Sequence, residues 1–458
     1  MTAPSGLGGG QTLSLACDDL DDEGAGTALR DGVRVHVAAA LPGERVLATV
    51  THVSSHRPEA WARLDSIEEP SPSRRAPACA AYGSCGGCVL QHFDVAAQLA
   101  WKAARVRRAL AAHAALRDVP AGEAVPSPRA LGYRNRSKLV AAARGRGVVL
   151  GAFAPRSHDV IDLAGCRVSE APLEELTAAL RVLLAEGGVT PYDERTFAGD
   201  LRHVVLRAND AGQVLAVFVV ARPGTAGIAA LARRLRDAHP NVVGVVENVN
   251  RTRGNVIYGD EEQPLEGAAT IEDRVGGVRL RLSAGAFFQA NRDVAALAYA
   301  AIARAVAVRP GDRVVDAYCG VGGIALTLAR GAQSAEGIDI LGIEEHAGAI
   351  ADATAGAELN DARGARFVAG DVAVRLREVS RADVVVLNPP RKGCGPAVVA
   401  EVVRLQPRAI AYLSCDPDTL ARDLAALAER GYRTRSVTPF DMLPHTPHVE
   451  ALAVLERG

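Results

Sequence analysis

The sequence predicts a multidomain α/β protein. It has a small OB-like β-barrel at the N-terminus, a central α+β domain with a cysteine cluster, and a C-terminal doubly wound, Rossmann-like domain. Three observations predict it. Short alternating apolar runs fill residues 12–67, a set of closely spaced cysteines follows, and from Arg281 onward strand and helix patterns alternate around a glycine-rich turn. The corresponding boundaries are 1–70, 71–280 and 281–458. At 458 residues the chain is too long for one ordinary domain, and its 48% apolar content supplies several cores.

Composition narrows the function classes. The formal net charge of −1 gives no bulk attraction to nucleic acid, so any basic surface is local. No apolar run reaches the length of a membrane span, and the N-terminus lacks a basic region followed by an apolar core. No membrane contact and no signal peptide are therefore expected. Eight cysteines in such a chain point to metal or catalysis rather than disulfides. The expected compartment is the cytoplasm and the expected state a monomer.

The N-terminal runs are TLSLA, VRVHVAAAL, RVLATVTHVS and WARLDSI, with a Pro-Gly turn in ALPGERVLATV. A barrel of this size either binds oligonucleotides or serves as a structural cap. The acidic stretch CDDLDDEG (17–24) would repel phosphate, so RNA contact must come from another face. The Pro- and Ser-rich stretch EEPSPSRRAPA (68–78) reads as a linker.

Cys79, Cys85 and Cys88 follow in the pattern C-x5-C-G-G-C-x2-Q-H. Three thiols this close are not ordinary core residues, and the glycines let the backbone wrap around a shared centre. The fourth ligand of a zinc ion or an iron–sulfur core would be Cys166 or His92. Local zinc patterns usually come as two pairs, whereas a triplet with one distant cysteine suits a four-thiolate cluster. Such a centre reads as structural or redox-sensitive rather than catalytic.

A helix over 98–114 leads to residues 125–158, which hold no carboxylate. They carry Arg129, Arg134, Arg136, Lys138, Arg144, Arg146 and Arg156, with Tyr133 and Phe153 interleaved. Cations without counter-charge, mixed with aromatic rings, form a phosphate- and base-binding footprint. Residues 202–258 alternate as an antiparallel sheet with one helix, with hairpin cues at Asn-Asp-Ala-Gly and Asn-Arg-Thr-Arg-Gly.

In the last domain DRVVDAYCGVGG reads as strand and glycine-rich turn, with Tyr318, Gly320 and Gly323 at the opening of a helix. It is not the dinucleotide fingerprint, but its free N–H groups suit a ligand. Glu344, or Asp339 as competitor, follows the second strand and can hold ribose hydroxyls. Asp371 and Asn388 end the next two strands. Residues 411–424, AYLSCDPDTLARDL, then break from strand to helix at Cys415. Ligands bind at that edge of open α/β sheets, and a thiol at a helix N-terminus tends toward a lowered pKa. The plainer alternative is an inert buried cysteine. Asp416 reads as a turn residue ahead of the helix.

Together these residues resemble the family of RNA uracil-5-methyltransferases over nearly the whole chain. The barrel, with its ALPGE phrase, resembles that family's TRAM domain. Cys79, Cys85, Cys88 and Cys166 resemble its four [4Fe–4S] ligands in order and spacing. YRNR (133–136), FFQ ending on Gln289, DAYCGVG, NPPRKG, SCDPDTLARD and PHTPHVE resemble its remaining motifs. The resemblance implies S-adenosylmethionine and a [4Fe–4S] cluster as cofactors, and RNA, namely 23S ribosomal RNA, as partner, since the transfer RNA enzymes lack both barrel and cluster. It implies Cys415 as nucleophile at C6 of uracil and Glu450 as the base at C5. Gln289, Tyr318, Gly320, Glu344, Asp371 and Asn388 would contact the cofactor, and Arg134, Arg136 and Lys138 the RNA. Cys319, the rival thiol, would be structural.

The chain departs from the family at Asn388, where Asp is common, at Gly323 and at Asp416, where Asn is frequent. About five extra residues before Glu344 keep Asp339 open as ribose partner. Two competing readings stand beside this one. The Asn-Pro-Pro tripeptide is shared by amino-group methyltransferases, which place an aromatic where this chain has Arg391. A non-catalytic RNA-binding assembly factor would not need Cys415 and Glu450.

Overall fold

The computed structural model describes residues 7–145, 147–155, 157–186, 188–254, 256–331 and 338–458. Arg146 and Arg156 of the basic stretch, and most of the extra segment before Glu344, lie outside the described residues.

Strands Thr12–Ala16, Asp19–Leu20, Gly26–Arg30, Val33–Val37, Arg45–Val53 and Glu59–Glu69 form one six-stranded sheet. Val33, Val35 and Val37 alternate inward and meet Val46, Ala48, Val50 and Ala60, the period-2 burial of a one-sided sheet. The expected barrel is realised in part, as a curled six-stranded sheet: strand Thr12–Ala16 also lies against Gly26–Arg30, and Asp18 N–H donates to Thr27 carbonyl at 2.9 Å.

Two segments of this region have partners that the sequence does not show. The acidic stretch is not a free repulsive surface, because helix Val95–Ala111 docks on it. Asp19 accepts from Trp101 Nε1 at 2.8 Å and pairs with Arg108, and Asp22 pairs with Arg105 at 2.9 Å. The linker is pinned rather than loose, since Arg74 makes a two-pronged bond to the buried Glu44 carboxylate at 2.5 and 2.7 Å. Those bonds hold the Glu44 carboxyl below its usual range against the opposing effect of burial.

The central sheet has seven strands in the order Glu261–Gly267, Val242–Val249, Val214–Val220, Leu201–Ala208, Arg136–Arg144, Gly147–Phe153 and Val160–Asp162. Helices Ala171–Ala185 and Ala226–Ala238 cover one face with Leu173, Leu176, Leu180, Ile228 and Leu231. The first hairpin cue is a turn at Asn209, whose Oδ1 accepts from the N–H groups of Ala211 and Gln213. The second is not a tight hairpin. Asn250 spends its amide on the carbonyls of Val256 and Ile257, and the next strand begins only at Glu261.

The C-terminal sheet runs Ala365–Ala369, Asp339–Glu344, Arg313–Ala317, Val384–Leu387, Ala409–Ser414, Glu450–Arg457 and Tyr432–Phe440. The first five are parallel and the last two form an antiparallel closing pair. The strand order reverses between Arg313–Ala317 and Val384–Leu387, the point where such sheets open a crevice at their carboxyl edge. A hairpin of Thr270–Val275 and Val278–Ser283 straddles residue 280 and buries Ile271, Val275, Leu280 and Leu282 against helix Arg292–Val306.

One ion pair is fully enclosed. Lys102 Nζ lies 2.5 Å from Asp441 Oδ1, with side-chain exposures of 0% and 1%. Removing one partner of such a pair leaves an uncompensated charge. Lys102→Met should cost about 3–5 kcal/mol in a denaturant melt, and Lys102→Met/Asp441→Leu should recover most of it. An unchanged melt for the single variant would contradict the enclosure.

Candidate functional site

The crevice is assembled from strand ends. Ala317 pairs with both Ile343 and Leu387, and Leu387 pairs with Tyr412. The turns that follow these strands therefore share one edge. Ser414 pairs with Ala451 of the antiparallel strand. The start of that strand, Glu450, thus lies at the same edge as Cys415, although the two are distant in sequence.

Cys415 stands between the strand end and helix Pro417–Ala428. Asp416 caps that helix, with Oδ1 accepting from Asp418 N–H at 3.1 Å and Thr419 N–H at 2.9 Å. The expected lowering of the thiol pKa is not found. Burial, and then the charge of Glu450, push the Cys415 thiol up to about 11, while Arg391 pulls it down. The N–H groups that would have favoured a thiolate are already bonded to Asp416.

Glu450 is half-buried and its Oε2 has no hydrogen-bond partner. Burial raises its carboxyl to about 7, against the pull of Arg391. A carboxyl poised there can take or give a proton near neutrality. Arg391, exposed just after the two prolines, thus acts electrostatically on both side chains, and its carbonyl accepts from Thr419 Oγ1 at 3.0 Å. Sequence reading noted it only as the residue replacing an aromatic. It missed this placement, which depends on how two turns meet.

The glycine-rich turn fits a cofactor. Gly320 has φ +53°, and an added Cβ would meet no atom within 4 Å, so its backbone faces open space. Its N–H donates to Glu344 Oε2 at 3.2 Å, and Glu344 Oε1 accepts from His346 N–H at 3.1 Å. Tyr318 has a left-handed φ of +64°, the kind of strain that clusters at ligand sites. Asp316 is fully buried, its Oδ1 is unpartnered, and burial raises its carboxyl to about 7. Asn388 N–H donates to Ala317 carbonyl at 3.2 Å, which ties its turn to this one.

The other expected cofactor contacts are placed as follows. Gln289 is buried, with its carbonyl accepting from Asn135 Nδ2 at 3.1 Å. Asp371 caps helix Val372–Glu378 through Val374 N–H at 2.9 Å. Asp339, the competitor of Glu344, begins its strand and pairs with Arg366 at the opposite edge of the sheet. Cys319 is buried beneath the turn, its N–H bonded to Ile343 carbonyl.

Cys79, Cys85, Cys88 and Cys166 line one recess, and none is in a disulfide. Cys166 joins the triplet because Glu174 holds its loop, accepting from the Cys166 N–H at 3.1 Å. His92 is engaged elsewhere, 2.6 Å from the Tyr82 hydroxyl. The four thiols line this recess, and among the described residues no group of three or more His, Cys, Asp or Glu is arranged to hold a metal ion. Burial raises the Cys85 and Cys88 thiols, and their mutual charges add to it.

The basic stretch does not form one free stripe. Carboxylates from elsewhere in the chain reach it, so Arg129 pairs with Asp293 and Glu170. Arg134 is half-buried beside Cys85 and Cys88, whose thiols it lowers. Arg136 donates to Ala286 carbonyl and Tyr258 hydroxyl, and Lys138 is exposed beside the same ring. A second aromatic surface was not legible in the sequence. His36, Trp61 and His52 lie in a row on three adjacent strands of the N-terminal sheet: His36 stacks on Trp61 at 5.3 Å between ring centres, and His52 is tilted against it at 5.5 Å.

A family model described as tRNA (uracil-5-)-methyltransferase matches residues 225–458. An RNA methyltransferase of Geobacter sulfurreducens is 38% identical over 454 residues, covering 97% of this chain and 90% of its own length. One of Listeria innocua is 35% identical over 451 residues, covering 97% of both chains. Among solved structures, the Pyrococcus abyssi tRNA (uracil-54, C5)-methyltransferase in complex with S-adenosyl-L-homocysteine superposes with a TM-score of 0.77. It is 27% identical and covers 97% of this chain and 100% of that one. Among the described residues no helix is long and apolar enough to cross a membrane.

Proposed function

The chain belongs to the RNA uracil-5-methyltransferase family, and from that premise we propose that it methylates a uridine of 23S ribosomal RNA through a covalent adduct on Cys415. That it is an S-adenosylmethionine-dependent RNA methyltransferase acting on uracil C5 follows from the family, which sets aside the amino-group and non-catalytic readings. The observation that carries the mechanism is that a half-buried thiol and a carboxyl with one unpartnered oxygen lie at the same sheet edge, close enough for the charge of Glu450 to raise the Cys415 thiol.

C5 of uracil is a poor nucleophile. Cys415 gives up its proton to solvent and adds at C6 as the thiolate; the π pair of the C5=C6 bond moves toward the C4 carbonyl, and the resulting enolate is electron-rich at C5. S-adenosylmethionine supplies an electrophilic methyl group when bound. Tyr318, Gly320 and Glu344 would hold it, with Gln289, Asp371 and Asn388 around it. Glu450 then takes the C5 proton, the C5=C6 bond reforms, and Cys415 leaves. Arg391 favours the charged forms of both groups.

A [4Fe–4S] core held by Cys79, Cys85, Cys88 and Cys166 is supported by the sequence pattern of a cysteine triplet with one distant cysteine and by the lining of one recess by all four. Such a core would tie the segment 79–88 to the loop at Cys166. Anaerobically purified protein should contain iron and sulfide. Stoichiometric zinc without iron would contradict this.

RNA would lie over Arg136 and Lys138, with Arg134 inward of them, and the TRAM-like N-terminal sheet would offer its row of rings for stacking. Neutralising Lys138 should weaken RNA binding and reduce its salt slope by about 1. An unchanged slope would remove Lys138 from the interface.

A transfer RNA uridine is the second reading. It is favoured by the solved relative, which acts on transfer RNA and spans the same length; chain extent thus does not separate the two substrates. Mapping which 5-methyluridine disappears on deletion of the gene decides between them. Loss from 23S ribosomal RNA supports the first reading, and loss from transfer RNA overturns it.

A further inference from the structure

The segment leading into Glu450 is held by groups that the mechanism does not use. Lys102 Nζ bonds Asp441 Oδ1 and also Leu443 carbonyl, at 2.5 and 3.1 Å. Gln98 Oε1 accepts from His445 N–H at 2.9 Å, and Gln98 Nε2 lies 3.2 Å from His445 Nδ1. Leu90 N–H donates to His445 carbonyl at 2.9 Å, and Tyr133 hydroxyl to Pro444 carbonyl at 3.1 Å. Gln98 and Lys102 are fully buried, one turn apart on helix Val95–Ala111.

His445 is held at φ +65°, a conformation that a residue with a side chain keeps only when its surroundings impose it. Glu450 Oε2 has no partner of its own. Bonds at that oxygen therefore do not fix the carboxylate, and its placement depends on the backbone. On one side that backbone is the pairing of Glu450 with Phe440, and on the other it is the clamped run from Asp441 to His445.

We propose that Gln98 and Lys102 are positioning residues that set the Glu450 carboxylate for removal of the C5 proton. This rests on the function proposed above. The step served is elimination: the C5–H pair becomes the C5=C6 bond, the proton passes to Glu450, and the C6–Sγ bond breaks to release Cys415. Attack by Cys415 at C6 precedes that step and does not require the base.

The test compares two steps in the full chain. The variants are Gln98→Leu and the paired Lys102→Met/Asp441→Leu, which removes the clamp without stranding a buried charge. RNA containing 5-fluorouridine reports attack and methyl transfer, because fluorine blocks elimination. Ordinary uridine RNA reports turnover. In both variants we expect fluorouridine adduct formation within twofold of the parent. Turnover should fall at least tenfold, and a methylated covalent adduct should accumulate on ordinary RNA. A parallel loss of both steps in a variant that melts like the parent would overturn the proposal, and so would unchanged turnover. If one variant fails to fold, the other decides. A parent chain that forms no fluorouridine adduct removes the base's task, and the function reading falls with the clamp. A parent that traps normally beside unaltered variants removes the clamp alone.

Discussion

Cys415→Ala is expected to abolish methylation, with turnover down by at least about four orders of magnitude, the scale seen when a covalent nucleophile is removed. Without Sγ no adduct forms at C6, and C5 stays too electron-poor to accept the methyl group. The contrast is Cys319→Ala. Cys319 is buried, burial raises its thiol well above the usual range, and its sulfur packs where a Cβ on Gly342 would meet it at 2.9 Å. Loss of that sulfur should lower stability modestly and leave turnover within a few-fold. Initial rates of methyl transfer to RNA measure both. Comparable losses in the two variants would contradict the assignment of the thiols.

Glu450→Gln is expected to lower turnover about 10²–10⁴-fold, the usual contribution of a positioned base, while leaving methyl transfer intact. The enzyme should then accumulate as a methylated covalent adduct. The pH dependence follows from the carboxyl at about 7. The base is the ionised form, present above that value, so elimination should fall about tenfold for each pH unit below 7 and level off above it. Decay of a preformed adduct against pH measures this. A profile that stays flat down to pH 5 would mean that another group takes the proton.

Much of the fold was legible because its signals are local. The alternation of Val33, Val35 and Val37 marks a one-sided strand, and the run from Arg313 through Gly323 marks strand, turn and helix. The candidate thiol was legible as a strand end. Its partner was not legible from physics alone. Glu450 reaches Cys415 only because the final strand inserts antiparallel between two others, and no local pattern in VEALAVLER announces that pairing; only the motif resemblance singled it out. The thiol's pKa was misjudged for a similar reason, since Asp416 occupies the helix N–H groups and Glu450 adds charge from afar. The contacts of the acidic stretch and of the linker were not legible because their partners, Trp101, Arg105, Arg108 and Glu44, lie elsewhere in the chain. The basic stretch looked free because Glu170 and Asp293 are remote in sequence but near in space.

The mechanism turns on a bond between Cys415 and the target uracil. Its most direct test is to incubate the protein with S-adenosylmethionine and RNA containing 5-fluorouridine, digest the trapped complex, and locate the nucleotide-bearing peptide by mass spectrometry. One methylated fluorouridine adduct is expected, carried on the peptide that contains Cys415. An adduct on Cys319 or on any of the four recess cysteines, or methylation of uridine with no adduct trapped, would contradict it.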